Sequence, residues 1–208
     1  KMKKLLLILL CLPMIGLGQT AEDYFAKALD YQKERDYQYQ IDNYTKCLQI
    51  EPNYIEAYDN RGRAYYKLKN YEAAIADYTS AIRMNPNDPK VYNNRGIAYS
   101  MLKNYKLAID DFTRSIKIDP NYLFPLKGRG VGSNPYNNRG RVYYYLGSYE
   151  NAISDFTRSI RIEPNNANTF RDRGVAKEDA GLNYCGDYKS ACDLGNKNCC
   201  EWYNDQCR

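Results

Sequence analysis

Two sets of residues in this sequence have types and spacing that could do chemistry. The first is a crowd of cysteines near the end: Cys185, Cys192, Cys199, Cys200 and Cys207 are five of the seven in the chain. Such a cluster could bind a metal, exchange thiols or crosslink the chain. It contains no Cys-x-x-Cys spacing, and the sequence has no histidine, so the commonest metal ligand and the commonest general base are both missing. No nucleotide-binding glycine loop occurs either. These absences argue against an enzyme, and no cofactor is expected. The second set is a row of asparagines, Asn60, Asn94 and Asn138, each followed by Arg-Gly. A primary amide offers both a donor and an acceptor, which suits it to hold the backbone of an extended peptide.

The spacing of that row shows which elements must position it. Gly62, Gly96, Gly140 and Gly174 recur in step, with 34 residues between the first two and the last two and 44 in the middle. Tyr65, Tyr99 and Tyr143 follow the first three glycines by three residues, and Ala74, Ala108 and Ala152 follow by twelve. Tyr78, Phe112 and Phe156 come next, and Pro86, Pro120 and Pro164 close each unit. Within Tyr58–Leu68 the aromatic and small residues recur at helical spacing, so one face is apolar. Glycine and alanine let two helices approach closely, Lys69-Asn70 supplies the turn between them, and the proline prevents the second helix from continuing.

This phased pattern resembles the tetratricopeptide-repeat family over roughly residues 21–180. The resemblance implies an all-α, right-handed solenoid of antiparallel helix pairs. The family's tryptophan is tyrosine here. A degenerate first copy, 19–54, carries Tyr24, Ala28, Tyr31, Tyr37, Tyr44 and Pro52, but lacks the glycine and has Gln40 where alanine is expected. Capping by a weaker end repeat suits a solenoid. Further repeats are expected at 55–88, 89–122 and 133–166. Of the 23 tyrosines, 14 fall on packing positions, so most of the excess belongs to the core. Cys47 falls on a small core position and should be a buried thiol.

Ten extra residues separate Pro120 from Gly140. The stretch 123–132 reads as a truncated repeat or loop, since Pro125, Gly128, Gly130, Gly132 and Pro135 make a poor helix. After Gly174 the pattern degrades over 167–208, with Tyr188 and Ala191 standing displaced from second-helix positions. The run from Ala191 to Cys200 resembles the secreted, cysteine-rich Sel-type relatives of these repeats, in which two cysteines eight apart staple one hairpin. On that resemblance Cys192 pairs with Cys200, Cys185 with Cys207 forms an outer bridge, and Cys199 is left over. Exchanging Cys199 for Cys200 stays open. Stapled in this way, the segment caps the solenoid.

Residues 1–18 read as a signal peptide: Lys3-Lys4, an apolar stretch from Leu5 to Leu17, and small residues before Gln19. The stretch is too short to span a membrane comfortably and is interrupted by Pro13, so no stable span is expected once it is removed. Without Lys1, Lys3 and Lys4, 27 basic residues face 25 acidic ones, which leaves no electrostatic footprint for nucleic acid. The expected place is the secreted or periplasmic side of a cell envelope.

By the family resemblance, first helices line a concave groove for another protein or an extended peptide. The asparagine row resembles the ladder in the repeat superhelix of the O-GlcNAc transferase. The expected groove residues are Asn60, Asn94, Asn138, Asn93, Asn137, Arg63, Lys67, Tyr66, Arg141 and Tyr144, with Ile97, Met101 and Tyr145 on the same positions in other repeats. A structural use of the Asn-Arg-Gly run is also open, with Arg61, Arg95 and Arg139 pairing with Asp77, Asp111 and Asp155. The expected function is a non-enzymatic scaffold. The alternatives are an assembly component that binds through its edges, or a Sel-type cysteine-rich enzyme.

Overall fold

The computed structural model describes residues 19–31, 35–122 and 134–207. The expected signal segment and the stretch at 123–132 lie outside the described residues. All regular elements among the described residues are helices. They run α1 (Ala21–Asp30), α2 (Tyr37–Ile50), α3 (Ile55–Lys67), α4 (Tyr71–Met84), α5 (Pro89–Met101), α6 (Tyr105–Ile118), α7 (Pro135–Tyr145), α8 (Tyr149–Ile162), α9 (Ala167–Asp179), α10 (Cys185–Asp193) and α11 (Lys197–Gln206). Each packs on the next in chain order. The odd-numbered helices also approach one another, α3 to α5, α5 to α7 and α7 to α9. The solenoid therefore curves with these first helices on the inside.

Within each pair, α3 ends in a left-handed residue, Lys69, whose N–H donates to the Tyr66 carbonyl while the Asn70 N–H reaches back to Tyr65. This Schellman arrangement satisfies the last carbonyls of the helix and reverses the chain. Asn70 then caps α4, its side chain accepting from the Ala73 N–H. The same turn follows α5, α7 and α9 at Lys103, Gly147 and Gly181.

The two helices of a pair meet where glycine faces an aromatic ring. A Cβ on Gly62 would lie 2.8 Å from Tyr78, on Gly96 2.8 Å from Phe112, and on Gly140 2.9 Å from Phe156. Those distances are below van der Waals contact, so only glycine lets the rings seat. In the first pair Ala28 takes the glycine's place, and the buried Gln40 donates to the Tyr31 carbonyl at 3.2 Å.

A second device ties the pairs together. Arg61 donates twice to Asp77 and once to Thr45, Arg95 twice to Asp111 and once to Thr79, and Arg139 twice to Asp155 and once to Thr113. Each arginine therefore joins its own helix, its partner helix and the second helix of the preceding repeat. Each guanidinium also lies between two tyrosine rings of its own helix, such as Tyr58 and Tyr65 around Arg61. These tyrosines, half-buried apart from the buried Tyr92, cradle the charge. Burial pushes the Asp77 carboxyl up and Arg61 pulls it back, the net direction being upward.

At the end of the chain Arg173 grips Asp187 and Thr157 in the same way, but the aspartate follows after 14 residues instead of 16. The shortened helix α10 and the added α11 are crosslinked by Cys185–Cys207 and Cys192–Cys200. Trp202 of α11 stacks on Tyr188 at 4.4 Å between centroids, covering the core of the last pair. Cys199 is a buried free thiol, as is Cys47.

Candidate peptide-binding groove

The inner curve is lined by side chains of α3, α5, α7 and α9 together with the turns that follow them. Three hollows run along it. The first lies between α2 and α3 and is bordered by Asn60, Arg63 and Lys67. The second, about 380 Å³, is lined by Tyr66, Ile97, Met101, Lys103, Tyr105, Asn138, Arg141 and Tyr145. The third lies between α7 and α9, where Arg141 and Tyr144 face Arg171 and Asp172.

Most carboxylates on this face are already engaged. Asp59 is buried and held by Lys90 at 2.8 Å. Arg171 holds Asp172 at 2.7 Å, with Arg141 at 3.9 Å. The Tyr144 hydroxyl donates to Asp179 at 2.7 Å, a bond that pushes the phenol up to about 12. Lys67 and Lys103 form no ion pair among the described residues. The groove therefore presents aromatic and aliphatic surface with cations along it.

Profiles of the tetratricopeptide repeat match residues 89–122 and 133–166. Two more, described as TPR repeat and tetratricopeptide repeat, match 62–103 and 43–76. Together they span more than half of the chain. The chain is a tetratricopeptide-repeat protein. No curated protein matches its sequence. Among solved structures, MamA is 23% identical with a TM-score of 0.74, over 87% of this chain and 94% of that one. YrrB, a TPR protein with an unusual peptide-binding site, is 17% identical with a TM-score of 0.69, over 90% and 93%. The first TPR of Spaghetti (RPAP3), bound to an HSP90 peptide, is 28% identical with a TM-score of 0.55, over 62% and 94%. These likenesses show the shared fold.

Against the expected groove set, the repeats bring Arg63, Lys67, Tyr66, Arg141 and Tyr144 onto the inner curve with Asn60 and Asn138. Asn93 and Asn137 do not belong there, which corrects the sequence reading. Both have no exposed surface. In the second to fourth repeats the residue before each Asn-Arg-Gly run, Asp59, Asn93 or Asn137, turns inward between neighbouring first helices, where Asn137 donates to Thr169 at 3.2 Å and Asn93 accepts from Asn138 at 3.0 Å. The asparagine row is itself half-committed. Asn94 donates to Asp59 at 3.2 Å, so Asn94 and Asn138 each tie one repeat to the one before. An amide nitrogen carries two hydrogens, so each of these bonds uses one of the two N–H groups.

Lys103, Tyr105 and Arg171 line the hollows and were not on the expected list. Lys103 reaches the groove because its left-handed turn swings the side chain off the helix axis, and Tyr105 because it opens the second helix beside that turn. Ser100-Met101-Leu102-Lys103 is also a Ser-x-x-Lys run, the spacing of a serine nucleophile with a lysine base. Here the run straddles the end of α5, with Lys103 in the left-handed turn.

Proposed function

We propose that this chain is a non-enzymatic scaffold that holds an extended segment of another protein along its inner curve, on the outer side of a cell's cytoplasmic membrane. One observation carries the binding part: an inner face of three consecutive hollows, lined by aromatic and aliphatic side chains of which Met101 and Tyr145 are exposed, and whose Lys67 and Lys103 form no ion pair among the described residues. Apolar side chains left in water on a concave surface, beside half-free amides, suit an extended chain with alternating side-chain and backbone contacts. Peptides bound to similar folds, as in the complex with the HSP90 peptide, support the same reading. The location rests on the apolar stretch from Leu5 to Leu17 behind Lys3-Lys4, and on two cysteine pairs at bonding distance, which persist in oxidising compartments.

The test is co-purification from fractionated cells of three forms: the natural chain, a groove variant Lys67→Glu/Met101→Glu/Arg141→Glu, and an outer-curve variant Lys106→Glu/Lys117→Glu. The natural and outer-curve forms should retain the same partners, and the groove variant should lose them. Retention of every partner by the groove variant would sink the groove reading, and recovery of the chain solely from the cytoplasm would sink the location.

A further inference from the structure

The hollow between the third and fourth repeats differs from the other two in chemistry. Its floor and walls are apolar and aromatic. Phe112, almost fully buried, lies deepest, and Tyr66, Ile97, Met101, Tyr105 and Tyr145 line it around that ring. Met101 is 50% exposed and Tyr145 57% exposed, large values for such side chains. Tyr105 and Tyr145 are stacked across the opening, one from each repeat, with centroids 6.2 Å apart. The volume of about 380 Å³ is that of a small ligand site. Lys103 and Arg141 also line it, and among the described residues no carboxylate does. Among the described residues Arg141 pairs with Asp172 at 3.9 Å, and that carboxylate is held more closely by Arg171.

From this combination we infer that the hollow anchors one large apolar side chain, aromatic or long aliphatic, of an extended protein segment that carries acidic residues beside it. The inference rests on the groove reading above and names the occupant. The apolar walls reward removal of a large side chain from water. Lys103, which forms no ion pair among the described residues, and Arg141, whose neighbour Asp172 is held more closely by Arg171, attract acidic neighbours and repel basic ones. Asn138, half-committed to Asn93, offers its carbonyl and remaining N–H to the peptide backbone next to the anchor.

The test uses a dye-labelled, acetylated and amidated heptapeptide with one phenylalanine between two glutamates. Three relatives accompany it: alanine for the phenylalanine, glutamines for the glutamates, and lysines for the glutamates. Binding is read by fluorescence anisotropy at 50 mM and 500 mM salt. The alanine form should bind at least about tenfold more weakly. The glutamine form should bind severalfold more weakly at low salt, with the gap narrowing at high salt. The lysine form should be weakest. Tyr145→Ala should weaken the phenylalanine peptide about as much as removing the phenylalanine. Lys103→Gly, which suits the left-handed turn, should abolish part of the glutamate preference.

Equal binding of the phenylalanine and alanine forms, preference for lysine neighbours, or no binding by any peptide overturns the anchor. So does self-association of the chain that Tyr145→Ala abolishes, since a second copy would then fill the hollow. A peptide that binds and is displaced by Lys67→Glu but not by Tyr145→Ala overturns the anchor and leaves the groove reading standing. If no peptide binds and the groove variant also keeps its natural partners, both fall.

Discussion

Arg95 grips the carboxylate of Asp111 with two hydrogen bonds of 2.8 Å. Its remaining nitrogen reaches Thr79 of the preceding repeat at 3.0 Å, and Tyr92 and Tyr99 flank the guanidinium. The same relationship recurs at Arg61, Arg139 and Arg173, so the Asn-Arg-Gly run has a structural role beside whatever its asparagines do in the groove.

Removing one member of such a pair leaves a largely buried charge without compensation. Arg95→Ala should lower stability by about 3 kcal/mol, read from the urea midpoint. Replacing both partners, Arg95→Met with Asp111→Leu, should restore most of the loss. If the double variant is as unstable as the single one, the three-helix bridge to Thr79 matters more than charge burial.

The glycine–aromatic contacts predict a graded response. Gly96→Ala forces a methyl group to 2.8 Å from Phe112 and should cost about 2 kcal/mol. At Gly174 the nearest atom, on Tyr188, is 3.3 Å away, so Gly174→Ala should cost distinctly less. Thermal denaturation of the two variants side by side checks the order.

The C-terminal cap predicts a definite thiol map. Peptide mapping without reductant should recover Cys185 with Cys207 and Cys192 with Cys200, and alkylation after unfolding should label Cys47 and Cys199. Paired Cys185→Ser and Cys207→Ser substitutions, which open a loop with a sequence separation of 22, should destabilise the cap by about 3 kcal/mol. Recovery of Cys199 in a disulfide in place of Cys200 would contradict the pairing.

Alkali should weaken the fold. Burial pushes the Cys47 thiol from 9.0 up to about 11, with Glu51 and Glu22 acting in the same direction. Tyr144, bonded to Asp179, is pushed up to about 12. Each group keeps its proton in the folded chain to a higher pH than in the unfolded one. The unfolded chain therefore releases protons first, and the stability these groups contribute, complete at neutral pH, falls between pH 9.0 and about 11 for Cys47. Urea midpoints at pH 7, 9 and 10.5 should decline, and Cys47→Ala should flatten part of the decline.

The sequence made the packing legible because its steric rules are local. Glycine facing an aromatic ring sixteen residues on, alanine at the crossing and proline at the exit each answer to one contact inside one repeat. The Arg–Asp pairs were visible as an option for the same reason. The inner face was harder to read. Which of two adjacent asparagines reaches the groove depends on the approach of first helices from successive repeats, so Asn93 and Asn94 look alike in sequence and differ in burial. Lys103 was missed because a lysine at φ 59° occupies a turn where Gly147 and Gly181 stand in later repeats. Helical spacing does not foretell which way such a residue points. The cradling of each arginine by two tyrosines of its own helix was likewise hidden, since the same spacing fits ordinary core packing.

The most direct test of the central claim is site-specific photocrosslinking in living cells, with a benzophenone side chain placed at Met101 on the inner curve or at Lys117 on the outer curve. Binding along the groove predicts a discrete crosslinked partner from position 101, absent from position 117 and lost when Tyr145→Ala is added. Crosslinking of the same partner from position 117, or from position 101 regardless of Tyr145, would contradict it.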